Sequence, residues 1–160
     1  MKQELIAELK ERNTRIIAAI LQKADRVCPG SIALIGIAGS FCHGDIHERS
    51  DLDLCIVIND NDGWKIADCF ILNEIGFDIY CTPWHRLEEM AAYTNPHVTK
   101  LLHLDIVYHA DDASLARYMS LRKTVQDKLD APFSSEDANH VTRHFTDAMN
   151  AYASVMLSDR

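Results

Sequence analysis

Residues 31–58 read SIALIGIAGSFCHGDIHERSDLDLCIVI, two apolar segments separated by a polar one. The first, residues 31–38, is short, rich in β-branched side chains and followed by glycine, which indicates a buried strand rather than a helix. The second, residues 51–58, alternates acidic and apolar residues before it becomes wholly apolar, as a strand does when one end emerges at a site. The sequence therefore predicts two strands, with polar residues next to the loop that joins them.

Hydrophobic periodicity predicts further helices and strands on both sides of this pair. Apolar residues at three- and four-residue spacing indicate amphipathic helices, and proline or glycine marks several of their ends. Two other short apolar runs, each containing an aspartate, indicate strands. The predicted helices are 3–27, 64–73, 82–93, 95–102 and 113–129, and the predicted strands are 76–81 and 104–108.

The last part of the chain predicts a helix with one apolar face. It begins with a cluster typical of a helix N-terminus, residues 134–137, after Ala131-Pro132 has ended the preceding helix. Because the apolar stripe that follows needs a partner surface, we expect a main domain at 1–130 and a helical segment at 131–160 that contacts a substrate, a second copy or a partner protein. The stripe consists of Ala138, Val141, Phe145, Met149, Tyr152 and Met156.

Composition narrows the class of protein. The chain of 160 residues has 48% hydrophobic and 25% charged residues, values typical of one folded domain, with or without an appendage. Its formal net charge of −8 disfavours nucleic acid as the main partner, because binding to phosphate backbones depends on basic side chains.

We also expect a cytoplasmic protein without a membrane span. The longest apolar runs are far shorter than the ~20 residues needed to cross a bilayer, and the N-terminus lacks the apolar core and cleavage site of a secretory signal. The five cysteines are scattered and form no C-x-x-C pair. They therefore indicate neither a disulfide framework nor a zinc site.

The residues around the loop between the first two strands form a combination of types that bind phosphates and metal ions. Glycine at position 39 lets the backbone approach a ligand, and the Ser40 hydroxyl with nearby backbone N–H groups can hold phosphate oxygens. Because strand side chains alternate, Asp51 and Asp53 are predicted to project from the same face. Hard oxygen ligands beside a polyphosphate suit Mg²⁺ or Mn²⁺. Asp78, in a neighbouring predicted strand, is the expected third carboxylate.

Two alternatives concern residues close to this combination. Asp105 also lies in an apolar predicted strand and is a second candidate for the third carboxylate. Arg49 and Ser50 directly precede Asp51. Arg49 can neutralise phosphates there, although an exposed loop arginine beside an acid is the other interpretation.

Further cations and aromatic residues allow a role either in the site or in ordinary structure. A lysine can contact phosphate or lie on a solvated surface, and an aromatic ring can stack on a nucleobase or pack against the core. The lysines are Lys65 and Lys100, and the aromatic residues are Trp64, Tyr80 and Trp84.

The combination has a family resemblance. Gly39-Ser40, Gly44, Ser50-Asp51-Leu-Asp-Leu54 and Phe77-Asp78-Ile79 resemble, in order and spacing, the motifs of the nucleotidyltransferase superfamily related to DNA polymerase beta. The resemblance covers roughly residues 34–110. It implies an α/β (α+β) fold, with a mixed β-sheet of about four to five strands flanked by helices and a C-terminal helical segment.

The resemblance also implies roles for the site residues. In the family, the serine binds nucleotide phosphates and the two aspartates of the D-x-D motif ligate both metals. The third acid ligates the catalytic metal and can help to activate the acceptor hydroxyl. The expected nucleotide-binding residues are Gly39, Ser40, Arg49 and Ser50, and the expected catalytic residues, which also bind Mg²⁺ or Mn²⁺, are Asp51, Asp53 and Asp78.

Small bacterial members of the family fall into at least two groups. Some adenylylate aminoglycoside or lincosamide antibiotics, and others are antitoxin-like proteins that transfer AMP to a partner toxin. The resemblance therefore implies an enzyme that moves a nucleoside monophosphate, AMP from ATP in the first instance, onto a hydroxyl of a small molecule such as an aminoglycoside and releases pyrophosphate. The alternative is an antitoxin-like or interaction module of the same fold that adenylylates or binds a partner protein, or pairs with a second copy, through its C-terminal helix.

Overall fold

The computed structural model describes residues 2–43, 46–95, 97–132 and 134–158. Gly44 of the sequence motif, Pro96 of a predicted helix start and the side chain of Met156 lie outside the described part of the chain. Backbone contacts divide the chain into two units, Met1–Gln126 and Asp127–Arg160.

The first unit holds the five strands of the described residues. α5, Asp112–Asp130, crosses the division between the units, and α6, Ser135–Ser158, lies in the second unit. The elements before them are α1 Lys2–Val27, β1 Ile32–Ile37, α2 Ser40–His43, β2 Asp53–Ile58, a 3₁₀ helix Asn61–Ile66, β3 Asp68–Leu72, β4 Ile75–Pro83, α3 Trp84–Ala91, α4 Val98–Leu102 and β5 Asp105–His109.

The strands form one mixed sheet in the order β3-β4-β2-β1-β5. β2 and β4 are parallel, and the other neighbouring pairs are antiparallel. A parallel pair needs a crossover connection, which here contains the 3₁₀ helix and β3. The predicted α+β fold with a mixed sheet and flanking helices is confirmed, with five strands where the sequence pattern alone gave four.

Two apolar clusters lie on opposite faces of the sheet, because consecutive strand residues point to opposite sides. The first cluster contains Ile20 of α1 and Ile56 of β2. The second contains Val57 of β2, Leu101 of α4 and Tyr118 of α5. Side chains of β2 and β4 therefore face either α1 or the layer formed by α3, α4 and the first part of α5.

The prediction of a helix at 64–73 is wrong. The 3₁₀ helix ends at Ile66, and β3 then pairs antiparallel with β4. Between β3 and β4, Asn73 and Glu74 have φ angles of 52° and 65°, as a two-residue hairpin turn requires. Because neither residue is glycine, this turn has no clear signal in the sequence, and the apolar residues before it also fit a helical pattern.

Three predicted element starts also change. β2 begins at Asp53, so Asp51 lies in the loop before the strand. Thr82 belongs to β4, because the parallel ladder with β2 continues to Pro83, and α3 begins without a side-chain cap. α4 begins at Val98 rather than at residue 95.

The second unit contains the end of α5 and α6. It begins within α5, whereas the sequence indicated a boundary after residue 130. The predicted apolar stripe of α6 is exposed at Val141, Phe145, Met149 and Tyr152. Among the residues that the structure describes, no helix is long and apolar enough to cross a membrane.

Candidate functional site

Asp53 and Asp78 are neighbours in the sheet. They are register partners in the parallel pair of β2 and β4, where adjacent strands lie ~4.8 Å apart. Cys55 and Val57, which follow Asp53 at two-residue steps, belong to the apolar cluster on the α4 side. The structure therefore brings two of the three predicted carboxylates together on the face of the sheet that carries α4.

Asp51 is close enough to Asp53 for its charge to affect the Asp53 carboxyl. The pKa of Asp53 is raised because its carboxyl is partly desolvated and because Asp51 and Asp78 carry charges of the same sign nearby. Lys100 opposes this effect. A carboxyl whose charged form is disfavoured both by burial and by neighbouring acids is typical of functional sites, and a bound cation relieves the repulsion.

The end of β1 lies against the Asp53 carboxylate. The Ala38 N–H donates a hydrogen bond to the Asp53 backbone carbonyl (2.9 Å). Gly39 has a φ of 68°, and a Cβ at this position would overlap Asp53 Oδ2. Glycine alone lets the chain turn here while the carboxylate keeps its place. Ser40 follows as the half-buried first residue of α2.

A cleft of about 340 Å³, which we call the acid-lined cleft, opens beside these residues. The sheet and the end of β1 contribute Gly39, Asp53, Asp78 and Tyr80 to its lining, and α4 contributes Lys100. Carboxylates, a flexible cation and a backbone turn without a side chain thus border one space, which can accommodate a polyphosphate with its counter-ions.

A second cleft of about 350 Å³ is lined by Arg49, Asp51 and Asp78. Asp78 therefore borders both clefts, whereas Asp51 borders the second. Within the described ranges, no group of three or more His, Cys, Asp or Glu side chains is close enough to hold a metal ion as it stands. Because Asp51 lies in the loop before β2, strand alternation does not set its direction, and the convergence of all three carboxylates stays a prediction.

Arg12 of α1 holds this loop in place, although it belongs to none of the sequence motifs. Its guanidinium donates to the Ser50 carbonyl (2.8 Å) and lies 5.1 Å from the centre of the Phe77 ring. Burial lowers the pKa of Arg12, and the Asp51 charge opposes this. Position 12 follows Leu9 by three residues and so falls on the apolar face of α1. A charged residue on that face was the signal that could have identified it.

The structure gives Ser50, a predicted nucleotide-binding residue, a role within the loop instead. Ser50 is only 2% exposed. Its Oγ accepts a hydrogen bond from the His47 N–H (2.9 Å), and its own N–H donates to the His47 carbonyl (2.9 Å). The buried hydroxyl closes the turn that leads to Asp51.

Asp105, the alternative third carboxylate, lies elsewhere. It pairs with Ile37 of β1, whose side chain packs against the α1-side cluster. Asp105 lines a separate cavity of about 380 Å³ together with Lys10 and Thr14 of α1. Because Asp78 is the register partner of Asp53 and Asp105 faces α1, the geometry favours Asp78.

The aromatic residues and Lys65 separate into core, rim and surface positions. Trp84 is buried, and its Nε1–H donates to Asn59 Oδ1 (3.1 Å). Trp64 is half-exposed and lines a cavity of about 500 Å³ that Tyr80 shares with the acid-lined cleft. Lys65 pairs with Asp62 on the surface (2.7 Å).

All five cysteines are free thiols. Burial raises the pKa of Cys55 to about 12 and that of Cys81 to about 11. Such thiols stay protonated near neutral pH and are poor nucleophiles.

The chain matches no family model and no curated protein. The resemblance to nucleotidyltransferases therefore depends on the motif residues.

The raised pKa of Asp53 predicts a pH-dependent cost in stability. The ordinary aspartate pKa is 3.8, and a value raised by folding means that the stability contributed by this group is full below the ordinary pKa and declines as pH rises through the folded one. We expect the metal-free Asp53→Asn protein to unfold at a higher temperature than the wild type at about pH 8, with the difference shrinking towards about pH 4. Thermal unfolding followed by circular dichroism at both pH values tests this. A variant that is less stable than the wild type at about pH 8 would contradict it.

Proposed function

We propose that the protein is a metal-dependent nucleotidyltransferase that moves a nucleoside monophosphate, AMP from ATP in the first instance, onto a hydroxyl of a small molecule. The observation that carries the proposal is the in-register pairing of Asp53 with Asp78 beside the turn at Gly39. Two acids on adjacent strands next to a backbone turn suit a triphosphate and its counter-ions.

The donor set fits a hard divalent cation. Asp51, Asp53 and Asp78 would hold Mg²⁺ or Mn²⁺, whose charge would offset that of the phosphates. The raised pKa of Asp53 supports this, because burial and then the like charges of Asp51 and Asp78 disfavour the carboxylate, and a cation would offset both effects.

Different residues of the chain would bind the phosphates, neutralise their charge and take up the acceptor proton. The Gly39 turn and Ser40 would hold the phosphates, and Arg49 would neutralise part of their charge. The acceptor oxygen forms a bond to the α-phosphorus as the bond from that phosphorus to the bridging oxygen of the β-phosphate breaks. Pyrophosphate leaves with the electron pair. Asp78, which borders both clefts, would help to take the proton of the acceptor hydroxyl.

The net charge supports a cationic acceptor such as an aminoglycoside. The chain carries a formal charge of −8, and acids at the mouth of a cleft attract amino sugars. A cytoplasmic location, where ATP and Mg²⁺ are plentiful, is part of the same proposal. The test is a screen of hydroxyl acceptors for Mg²⁺-dependent pyrophosphate release with each nucleoside triphosphate.

The exposed stripe of α6 favours a second candidate function. Four large apolar side chains, Val141, Phe145, Met149 and Tyr152, are at least half-exposed, and such a face fits a partner helix or a second copy. In this alternative the protein adenylylates or binds a partner protein. A stable stoichiometric complex in a pull-down with the products of neighbouring genes supports it, whereas turnover with a small-molecule acceptor supports the enzyme.

Nucleotide binding is expected to require a divalent cation. The acids and the triphosphate repel one another until a cation lies between them, so chelation should lower the affinity for ATP by more than about tenfold. Isothermal titration calorimetry with Mg²⁺ and with excess EDTA measures this. Equal affinity under the two conditions would assign the phosphates to other residues.

A further inference from the structure

The wall that α4 contributes to the acid-lined cleft is firmly placed. Leu101 is buried in the second apolar cluster, and the Tyr118 hydroxyl donates to the Leu101 carbonyl (2.7 Å). The neighbouring Lys100 is exposed and lines the cleft together with Asp53 and Asp78. A short helix anchored on its buried side thus directs a lysine to the acids.

Tyr80 supports the Lys100 side chain. The Lys100 Nζ atom lies 5.0 Å from the centre of the Tyr80 ring, a distance at which the ring attracts an ammonium group. Tyr80 follows Asp78 by two residues in β4, so both side chains lie on the same face of the sheet. The ring therefore holds the ammonium next to the carboxylates.

Lys100 makes no salt bridge with a carboxylate in the described part of the chain. Its charge nevertheless reaches Asp53, whose raised pKa it partly lowers. The other lysine considered in the sequence analysis, Lys65, pairs directly with Asp62. A cation that lines an acid-lined cleft and lacks such a partner is suited to an anionic ligand.

We propose that Lys100 contacts the phosphates of the nucleoside triphosphate and that Tyr80 positions it. This inference rests on the proposed nucleotidyltransferase function and adds a residue that the sequence motif does not contain. An ammonium is a mobile point charge with three donors, which suits phosphate oxygens. It can also stabilise the charge that develops on the phosphate as the bond to the β-phosphate breaks.

The test uses inorganic tripolyphosphate with Mg²⁺ as the probe, in calorimetry with the full chain. Lys100→Met is expected to weaken binding by about ten- to a hundredfold, the scale of one hydrogen bond to a charged group. Lys65→Met changes the net charge equally and should bind as the wild type does. Lys100→Arg should keep most of the affinity because it keeps the charge.

Tyr80 variants separate positioning from general loss of structure. Tyr80→Leu should weaken tripolyphosphate binding about two- to fivefold, the scale of an exposed cation–π contact. Tyr80→Phe keeps the ring and should restore wild-type binding. Equal binding by Tyr80→Leu and the wild type would remove Tyr80 from the proposal.

The outcomes distinguish this inference from the function on which it rests. If the wild type binds the probe, Asp53→Asn does not, and Lys100→Met binds as Lys65→Met does, the role of Lys100 is overturned while the nucleotidyltransferase proposal stands. If the wild type itself does not bind tripolyphosphate with Mg²⁺, both proposals are overturned.

Discussion

The Asp53→Asn protein is expected to lose MgATP binding and turnover together, with affinity reduced by more than about tenfold and the transfer rate by more than about a hundredfold. Asp53 is the register partner of Asp78, and its carboxylate lies against the Gly39 turn. Replacing its carboxylate with a neutral amide removes the negative charge that lies next to Asp78 and the Gly39 turn. Calorimetry with MgATP and pyrophosphate release measure the two effects.

Asp105→Asn is the matched control for this variant. It makes the same change of charge and shape on a neighbouring part of the sheet, but Asp105 lines the cavity next to α1. It should bind MgATP and turn over as the wild type does. A folded Asp53→Asn protein with wild-type MgATP affinity would exclude Asp53 from the cation site.

The Asp78→Asn protein is expected to separate binding from chemistry. If Asp78 holds the catalytic ion and helps to accept the acceptor proton, the variant should keep MgATP affinity largely intact while kcat falls by about a hundredfold or more. The position of Asp78 between the two clefts favours this division, because one carboxylate can then serve the nucleotide side and the acceptor side. Steady-state kinetics with the acceptor found in the screen, together with calorimetry, measure it.

One pair of results would reverse the assignment of Asp78 as the third carboxylate. Near-normal transfer by a folded Asp78→Asn protein, together with a collapse in the Asp105→Asn protein, would identify Asp105 as the third carboxylate. Circular dichroism spectra of both variants show whether either change disturbs the fold.

Local patterns predicted most of the fold because the relevant signals lie within one element. The alternation of Asp51-Leu-Asp-Leu54 and the apolar run to residue 58 gave β2 within two residues. β3 was missed because its hairpin turn uses Asn73 and Glu74 instead of glycine. Both residues adopt positive φ angles to close the two-residue turn between β3 and β4, a conformation that glycine usually marks in a sequence.

The candidate site was predictable in part for the same reason. The motif order placed Asp53 near Asp78, and the parallel register agrees with it. The contacts of Arg12 with Ser50 and Phe77 depend on how α1 crosses the sheet. The support of Lys100 by Tyr80 depends on the placement of α4. No local pattern encodes such packing.

β4, which carries Asp78, is the second strand from one edge of the sheet. β3 and β4 form an outer hairpin, and β4 joins the rest of the sheet through β2. Local opening of this hairpin would carry Asp78 away from Asp53, and without a cation the relief of their repulsion would lower the electrostatic free energy of the open form. A bound cation would remove this effect. We therefore expect opening of the outer hairpin to be rarer when a cation is bound than when it is not.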